Sequence, residues 1–117
     1  MDIIHITEAV ILNTGIPLAA IKSNSRKREI VQARQIAMYF CREYNCGSLL
    51  QIGLYFGGRD HSTVIHACQT VTDHSQIERP YRRRLEEIGI LIENLESKLI
   101  DPYSFSQLQL TSYLESF

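Results

Sequence analysis

SLLQIGLYFGGRDHSTVIHACQTVTD, residues 48–73, is the stretch that decides the fold. Ser48 followed three residues later by Gln51 forms a capping box, which satisfies two backbone amides at a helix start and predicts a helix over 49–56. The glycine pair 57–58 then supplies the positive φ that a sharp turn needs. The first half of the stretch therefore predicts a short helix followed by a tight turn.

The second half of the stretch predicts a longer helix. Asp60 can be its N-cap, because its carboxylate can accept hydrogen bonds from the amides that follow, so we expect a helix from His61 to about Asp73. One face of this helix is apolar and the opposite face carries small hydrogen-bonding groups: Val64, Ala67, Cys68 and Val71 against Ser62, His66, Gln69, Thr70 and Asp73. Such an exposed face suits base edges in a DNA major groove, which predicts a helix-turn-helix unit.

Two parts of the sequence resemble one family. GGRDHSTVIHAC at 57–68 is similar to the signature of the C-terminal DNA-binding domain of DnaA, the bacterial replication initiator. SRKREIVQARQIAMYF at 25–40 resembles the basic loop and following helix of the same domain, in the same order and spacing. Together the matches cover roughly residues 1–99. The resemblance implies an all-α domain of the Trp-repressor-like or DnaA C-terminal type, with about six helices. It does not predict the structure of the tail over 100–117.

The resemblance also implies a set of DNA contacts. Arg26 would enter the minor groove, where a narrow A·T-rich groove concentrates negative potential. Arg34 and Gln35 would hold the DNA backbone, which fixes register without reading sequence. Five side chains at the start of the second helix would face the major groove: Asp60, His61, Ser62, Thr63 and His66. The expected function is sequence-specific binding of double-stranded DNA at A·T-rich, DnaA-box-like sites, in replication initiation or its regulation.

Three residues depart from the pattern of that family. Ser62 stands where threonine is usual, which removes a methyl group that could contact thymine. Gln69 and Thr70 stand where basic residues are common, so two potential phosphate contacts are missing. We therefore expect weaker affinity for the family's box, or an altered preference.

Charge is distributed unevenly along the chain. The net charge is −1, yet residues 22–84 carry eleven Lys and Arg against five Asp and Glu, a net charge of +6. Residues 1–21 and 85–117 carry −2 and −5. Attraction to phosphate depends on the local field, which salt screens over roughly 8 Å, so the basic middle suits nucleic acid. An ordinary solvated surface is the alternative for such a charge run.

Length and motifs exclude several classes of function. The chain has 117 residues, 44% hydrophobic and 21% charged, which is enough for one domain with one core. It contains neither G-x-x-x-x-G-K-[ST] nor G-x-G-x-x-G, so we expect no nucleotide and no ATPase module. Met1 and the irregular tail favour a complete short protein. We expect no catalysis, no cofactor and no membrane segment, and the missing signal peptide places the chain in the cytoplasm.

The cysteines and histidines do not predict a metal site. The three cysteines, at 41, 46 and 68, have no metal-ligand spacing. A free cysteine on an apolar helix face usually behaves as a small buried hydrophobe. His61 and His66, five apart on one helix, point about 140° from each other, so one zinc ion does not easily take both.

Two short helices are predicted before the basic loop. Apolar residues recur over 3–12, and residues 13–15 end that helix. Pro17 suits a first helical turn, which predicts a second helix over 16–21. KSNSRKRE, residues 22–29, is polar and without periodicity, and is expected to be a loop.

A long helix over about 27–44 follows, with an apolar stripe on which the helix-turn-helix pair can pack. Gly47 is its expected C-terminal cap. Gly53 should mark a close helix crossing, because glycine costs a helix about 1 kcal/mol relative to alanine, and Phe56 should fill the core beneath the turn. Arg59 either clamps a phosphate or pairs with an acid; the sequence leaves both open.

The last predicted helix has apolar residues spaced four and three apart over 81–99. We expect it to pack back on the domain, which makes the chain a monomer, and a dimer seam is the alternative. Arginines 82–84 lie near its N-terminal end, where cations are disfavoured without an anion nearby. They could touch phosphate or the acids 86–87.

Two other functions stay open at this point. One is a small helix-turn-helix transcriptional repressor, and the other is a protein-interaction module that uses the 81–99 helix. Double-stranded DNA is the first expected partner, and DnaA or other replication proteins are further candidates.

Overall fold

The computed structural model describes the secondary structure of residues 1–100 and the side chains of residues 1–95. Within that part the chain forms six helices and no strand, which confirms the predicted all-α fold. They are α1 Ile3–Thr14, α2 Leu18–Ile21, α3 Arg28–Glu43, α4 Leu49–Tyr55, α5 His61–Ile77 and α6 Arg79–Ile100. The tail predicted over 100–117 lies outside the described residues from position 101 onward.

Helix α3 is central to the packing, since α1, α2, α4 and α5 all contact it. Its predicted apolar stripe is buried from Ala33 to Cys41 and half-buried at its two ends, Ile30 and Tyr44. Burial of such side chains is the main favourable term in folding. The stripe is therefore core, as predicted.

The helix-turn-helix unit has the predicted local structure. Ser48 Oγ accepts a hydrogen bond from the Gln51 amide at 3.1 Å, and Gln51 Oε1 accepts one from the Ser48 amide at 2.8 Å. Gly57 and Gly58 have φ of 101° and 74°. Asp60 caps α5. The capping box, the turn and the N-cap are all confirmed.

Helix α5 is longer than predicted. It continues four residues past Asp73 and ends at Ile77, so the expected C-terminal boundary was wrong. It ends there because Pro80 has no N–H to donate to the carbonyl of Gln76, and a proline ring clashes with the preceding helical turn. Pro80 instead lies in the first turn of α6.

Three other helix ends differ in detail from the prediction. Helix α1 includes Thr14, whose hydroxyl donates to a carbonyl of its own helix, and ends at Gly15 with φ 75°. Pro17 is the N-cap of α2 and does not lie in its first turn. After α3 the left-handed residue is Asn45, with φ 53°, and not Gly47. Asparagine tolerates this conformation because its short polar side chain bonds locally.

Helix α6 packs back on the domain, against α1 and α5. Tyr81, Ile88 and Ile92 are buried, so the described part of the predicted 81–99 stripe lies in the core. The described residues of that stripe therefore pack within the chain. None of the helices in the described part of the chain combines the length and hydrophobicity that crossing a bilayer requires.

Candidate nucleic-acid interface

A cleft of about 400 Å³ opens between α3 and the N-terminal half of α5. Six of the predicted DNA-contacting residues line it: Arg34, Gln35, Asp60, Ser62, Thr63 and His66. Arg26 and His61 do not line the cleft, and both are exposed. The fold therefore gathers most of the predicted site at one place.

The carboxylate of Asp60 can cap α5 and still accept a hydrogen bond from a ligand. Its Oδ1 accepts hydrogen bonds from the amide of Thr63 at 2.9 Å and from the hydroxyl of Thr63 at 3.0 Å. The backbone bond first, and the hydroxyl bond second, lower the pKa of Asp60 below its ordinary value. The side chain is therefore ionised at neutral pH. Since both bonds end on Oδ1, Oδ2 stays available to accept from a ligand.

Three side chains at the start of α5 have no partner of their own. His61, Ser62 and His66 are exposed, and nothing in the described part of the chain hydrogen-bonds to their side chains. The apolar side of the same helix is buried at Val64 and Ala67. The N-terminal end of α5 thus presents free donors and acceptors on a rigid support.

Gly53 explains how the start of α5 is held. A Cβ added to Gly53 would overlap the carbonyl oxygen of Arg59, so only glycine allows α4 to approach the turn this closely. The Gly53 carbonyl accepts a hydrogen bond from the Arg59 amide at 2.8 Å. Phe56 beneath the turn is fully buried. Gly53 therefore marks a close approach, but the surface that it meets is the backbone of the turn, so the predicted helix crossing was wrong in its partner.

Arg34 is a clamp on the basic loop. It is only 5% exposed. Its Nε donates to the carbonyl of Ile21 at 2.7 Å, and its two Nη atoms donate to the carbonyls of Ser23, at 2.8 Å, and Ser25, at 3.2 and 3.3 Å. Burial, and then the charge of Arg59, lower its pKa. The predicted contact of Arg34 with the DNA backbone stays a prediction, because these bonds occupy most of its donors.

Arg59 has a role that neither alternative from the sequence described, because it donates to backbone carbonyls. Its Nη2 donates to the carbonyl of Ser23 at 3.0 Å, and its Nη1 donates to the carbonyl of Phe56. A Cβ on Gly57 would meet the carbonyl of Lys22, which shows how closely the loop lies on the turn. Sequence reasoning missed this role because backbone carbonyls of an irregular loop leave no pattern in the side chains.

The loop that carries Arg26 is held against the turn before α5. Arg34 donates to the carbonyls of Ser23 and Ser25, and Arg59 also donates to that of Ser23. Arg26 directly follows Ser25 in the chain. Arg26 is exposed and has no partner among the described residues. Gln35, half-buried in the cleft wall, likewise keeps its side-chain amide free of partners in this part of the chain. The loop and the cleft wall thus each present a polar side chain without a partner among the described residues.

The histidine and cysteine side chains near the start of α5 are separated in space. His66 is exposed on one side of α5, whereas Cys68 is buried on the other. Burial raises the pKa of the Cys68 thiol, and also that of Cys41. Across the described side chains, His, Cys, Asp and Glu form no group of three that could hold a metal ion.

Comparison with known proteins gives one consistent result. A family model described as the bacterial DnaA protein helix-turn-helix matches residues 3–71. Relatives named chromosomal replication initiator protein DnaA include that of Bacteroides thetaiotaomicron, 40% identical over 88 residues, which are 75% of this chain and 19% of that protein. The DnaA of Synechococcus sp. is 42% identical over 83 residues, which are 71% of this chain and 18% of that protein. The DnaA of Chlorobaculum tepidum is 47% identical over 73 residues, which are 62% of this chain and 15% of that protein. The chain thus spans less than a fifth of the length of these relatives.

Proposed function

The chain belongs to the bacterial DnaA helix-turn-helix family, and on that premise we propose that it binds double-stranded DNA sequence-specifically, at DnaA-box-like sites, in replication initiation or its regulation. The observation that carries the proposal is the N-terminal end of α5. Its free polar side chains stand beside a cationic loop that two arginines fix to the turn. DnaA itself and other replication proteins are further proposed partners.

The start of α5 would read the major groove. Asp60 Oδ2 can accept from a cytosine N4 amine while Oδ1 keeps capping the helix. His61 and Ser62 can each donate or accept at a base edge. The hydroxyl proton of Thr63 is engaged by Asp60, so Thr63 offers an acceptor lone pair and a methyl group. His66, one turn farther along, extends the same face.

The loop and α3 would hold the DNA backbone and the minor groove. Arg26 is free to enter an A·T-rich minor groove, where guanidinium is favoured. Gln35 can donate to a phosphate oxygen from the cleft wall. Arg34 is assigned to positioning: it adds positive potential to the cleft and fixes the loop that carries Arg26.

A competition shift assay on the full chain tests the proposal. A labelled duplex that carries a DnaA box is displaced by the same unlabelled duplex or by one with the box scrambled at constant composition. Specific proteins bind their sites about 10³-fold or more tighter than random DNA, so we expect the scrambled duplex to compete at a correspondingly higher concentration. Equal competition by the two duplexes would refute sequence-specific binding.

A further inference from the structure

Four exposed arginines form a cluster in the first two turns of α6. We call Arg79, Arg82, Arg83 and Arg84 the α6 arginine cluster. Residues three and four apart are neighbours on a helix surface, so Arg79 lies next to Arg82 and Arg83. Arg79 and Arg83 line two adjoining hollows of about 310 and 280 Å³, which include Arg84 on one side and Arg82 on the other.

No acid among the described residues forms a salt bridge with this cluster. Among the described residues, none of the four arginines makes a salt bridge or a side-chain hydrogen bond. Glu86 and Glu87 line the hollows but lie beyond salt-bridge distance, and Glu87 instead accepts from the Asn13 amide at 3.3 Å. The first turn of α6 contains no acid. The cations therefore repel one another at the positive end of a long helix dipole, and an external anion would relieve both effects.

The cluster lies at the opposite end of α5 from the reading residues. The ring of Tyr81 contacts the ring of His74, with 5.3 Å between centroids, so the first turn of α6 lies against the last turns of α5. Helix α5 has 17 residues, and at about 1.5 Å per residue the cluster is roughly 25 Å from Asp60. The exposed acid Asp73 lies on α5 between Asp60 and the cluster, and Glu78 directly precedes Arg79. The basic middle of the sequence thus folds into two separate cationic surfaces.

We propose that the α6 arginine cluster binds backbone phosphates of duplex DNA outside the site gripped by α5. The inference rests on the proposed function, because a chain already bound to a box meets nearby phosphates at high effective concentration. Guanidinium groups suit this ligand, since each can donate two parallel hydrogen bonds to one phosphate. The phosphates could belong to flanking sequence on the same duplex or to a second duplex.

The test uses the full chain with R82Q/R83Q/R84Q, in which glutamine keeps helix propensity and removes charge. Affinity is measured for a box in a duplex of about 12 base pairs and for the same box in about 40 base pairs, over a range of salt. We expect the variant to bind the short duplex as the wild type does, and to lose about tenfold or more on the long one. Its slope of log K against log salt on the long duplex should be shallower by about 2 to 3.

Controls separate the cluster from net charge and from folding. R83Q removes one exposed arginine from α6, and R42Q removes one from α3. R83Q should therefore weaken binding to the long duplex, whereas R42Q should not. Thermal unfolding of the triple variant should be unchanged or shifted upward, because it removes cations from a helix N-terminus. Equal losses for R83Q and R42Q, equal losses on both duplex lengths, or no loss on either duplex together with no capture of a second duplex would overturn the inference. The inference would also fail if the triple variant bound both duplexes as the wild type does and lost binding only to vesicles that contain phosphatidylserine.

A bead assay identifies the source of the phosphates. Protein bound to a tethered box duplex is offered a labelled random duplex. Capture that the triple variant abolishes indicates a second duplex, and a length effect without capture indicates flanking DNA. If the wild type does not prefer the box but the cluster variant still loses the length effect, the proposed function fails and this inference stands. If the wild type prefers the box but shows neither a length effect nor capture, the proposed function stands and this inference fails.

Discussion

Arg34 and Arg59 donate to the same backbone oxygen, the carbonyl of Ser23, at 2.8 and 3.0 Å. One arginine comes from α3 and the other from the turn before α5, so this oxygen joins the basic loop to the helix-turn-helix unit. Two like charges are held close together, and the charge of Arg59 adds to burial in lowering the pKa of Arg34. The position of Arg26 relative to α5 therefore depends on this pair.

Replacing Arg34 by lysine tests the clamp. Lysine keeps the charge but lacks the fork that reaches several carbonyls at once. Hydrogen bonds from charged groups are each worth about 1.5–3 kcal/mol, so R34K should lower the free energy of unfolding by about that amount in urea. A double-mutant cycle with R26A should show non-additive losses in DNA binding, because Arg34 acts through the loop. Unchanged stability and strictly additive losses would instead indicate a direct phosphate contact.

Gly53→Ala should destabilise the fold by about 1–3 kcal/mol or more, because the added methyl group overlaps the Arg59 carbonyl. Gly89→Ala is the matched control. A Cβ at Gly89 would make ordinary contact, at 3.9 Å, with the ring of Phe40. Alanine there should stabilise α6 by up to about 1 kcal/mol. Urea midpoints that move in the same direction for both variants would contradict this account of the turn.

The cap on α5 predicts a pH dependence. Because the Thr63 amide lowers the pKa of Asp60 in the folded state, its contribution is present above the ordinary Asp value of 3.8 and is lost as pH falls through the folded value. Asp60→Asn keeps a capping oxygen without titrating. The wild type should therefore be more stable than Asp60→Asn at pH 7, and the difference should vanish in acid. Thermal melts that show a constant difference across this range would contradict the capping account.

The packing of α6 predicts a monomer. The apolar stripe is buried within the chain at Tyr81, Ile88 and Ile92, which leaves that surface unavailable to a second copy. Sedimentation at the concentrations used for binding should give the mass of one chain, 13.5 kDa. A stable dimer would instead favour a repressor that reads paired half-sites.

The parts of the fold that depend on neighbouring residues were predictable. The Ser48–Gln51 capping box, the glycine turn and the Asp60 cap are each decided within four residues, and the structure contains all three. The end of α5 was not predicted, because its polar residues do not stop the helix when their hydroxyls bond to its own carbonyls. Thr72 and Ser75 donate in this way, to Cys68 and Thr72.

The site was predictable only in part, for a related reason. The resemblance to the DnaA domain implied most of the residues that border the cleft, and the periodicity of α5 placed Ser62 and His66 on its exposed face. It did not indicate that Arg34 and Arg59 bind loop carbonyls, because those partners are set by the path of an irregular segment through space. For the same reason, the sequence did not indicate that the neighbour of Gly53 is the backbone of the turn.

The most direct test of the account is the effect of His61→Ala on discrimination between a box duplex and a scrambled one. His61 is exposed at the start of α5 and supports no described hydrogen bond, so its loss should leave thermal unfolding unchanged. Gln76→Ala, at the exposed far end of the same helix, is the control and should leave both affinities unchanged. His61→Ala should cost about 1–3 kcal/mol on the box and almost nothing on the scrambled duplex. Equal losses on both duplexes, or no loss on either, would contradict the assignment of α5 as the reading helix.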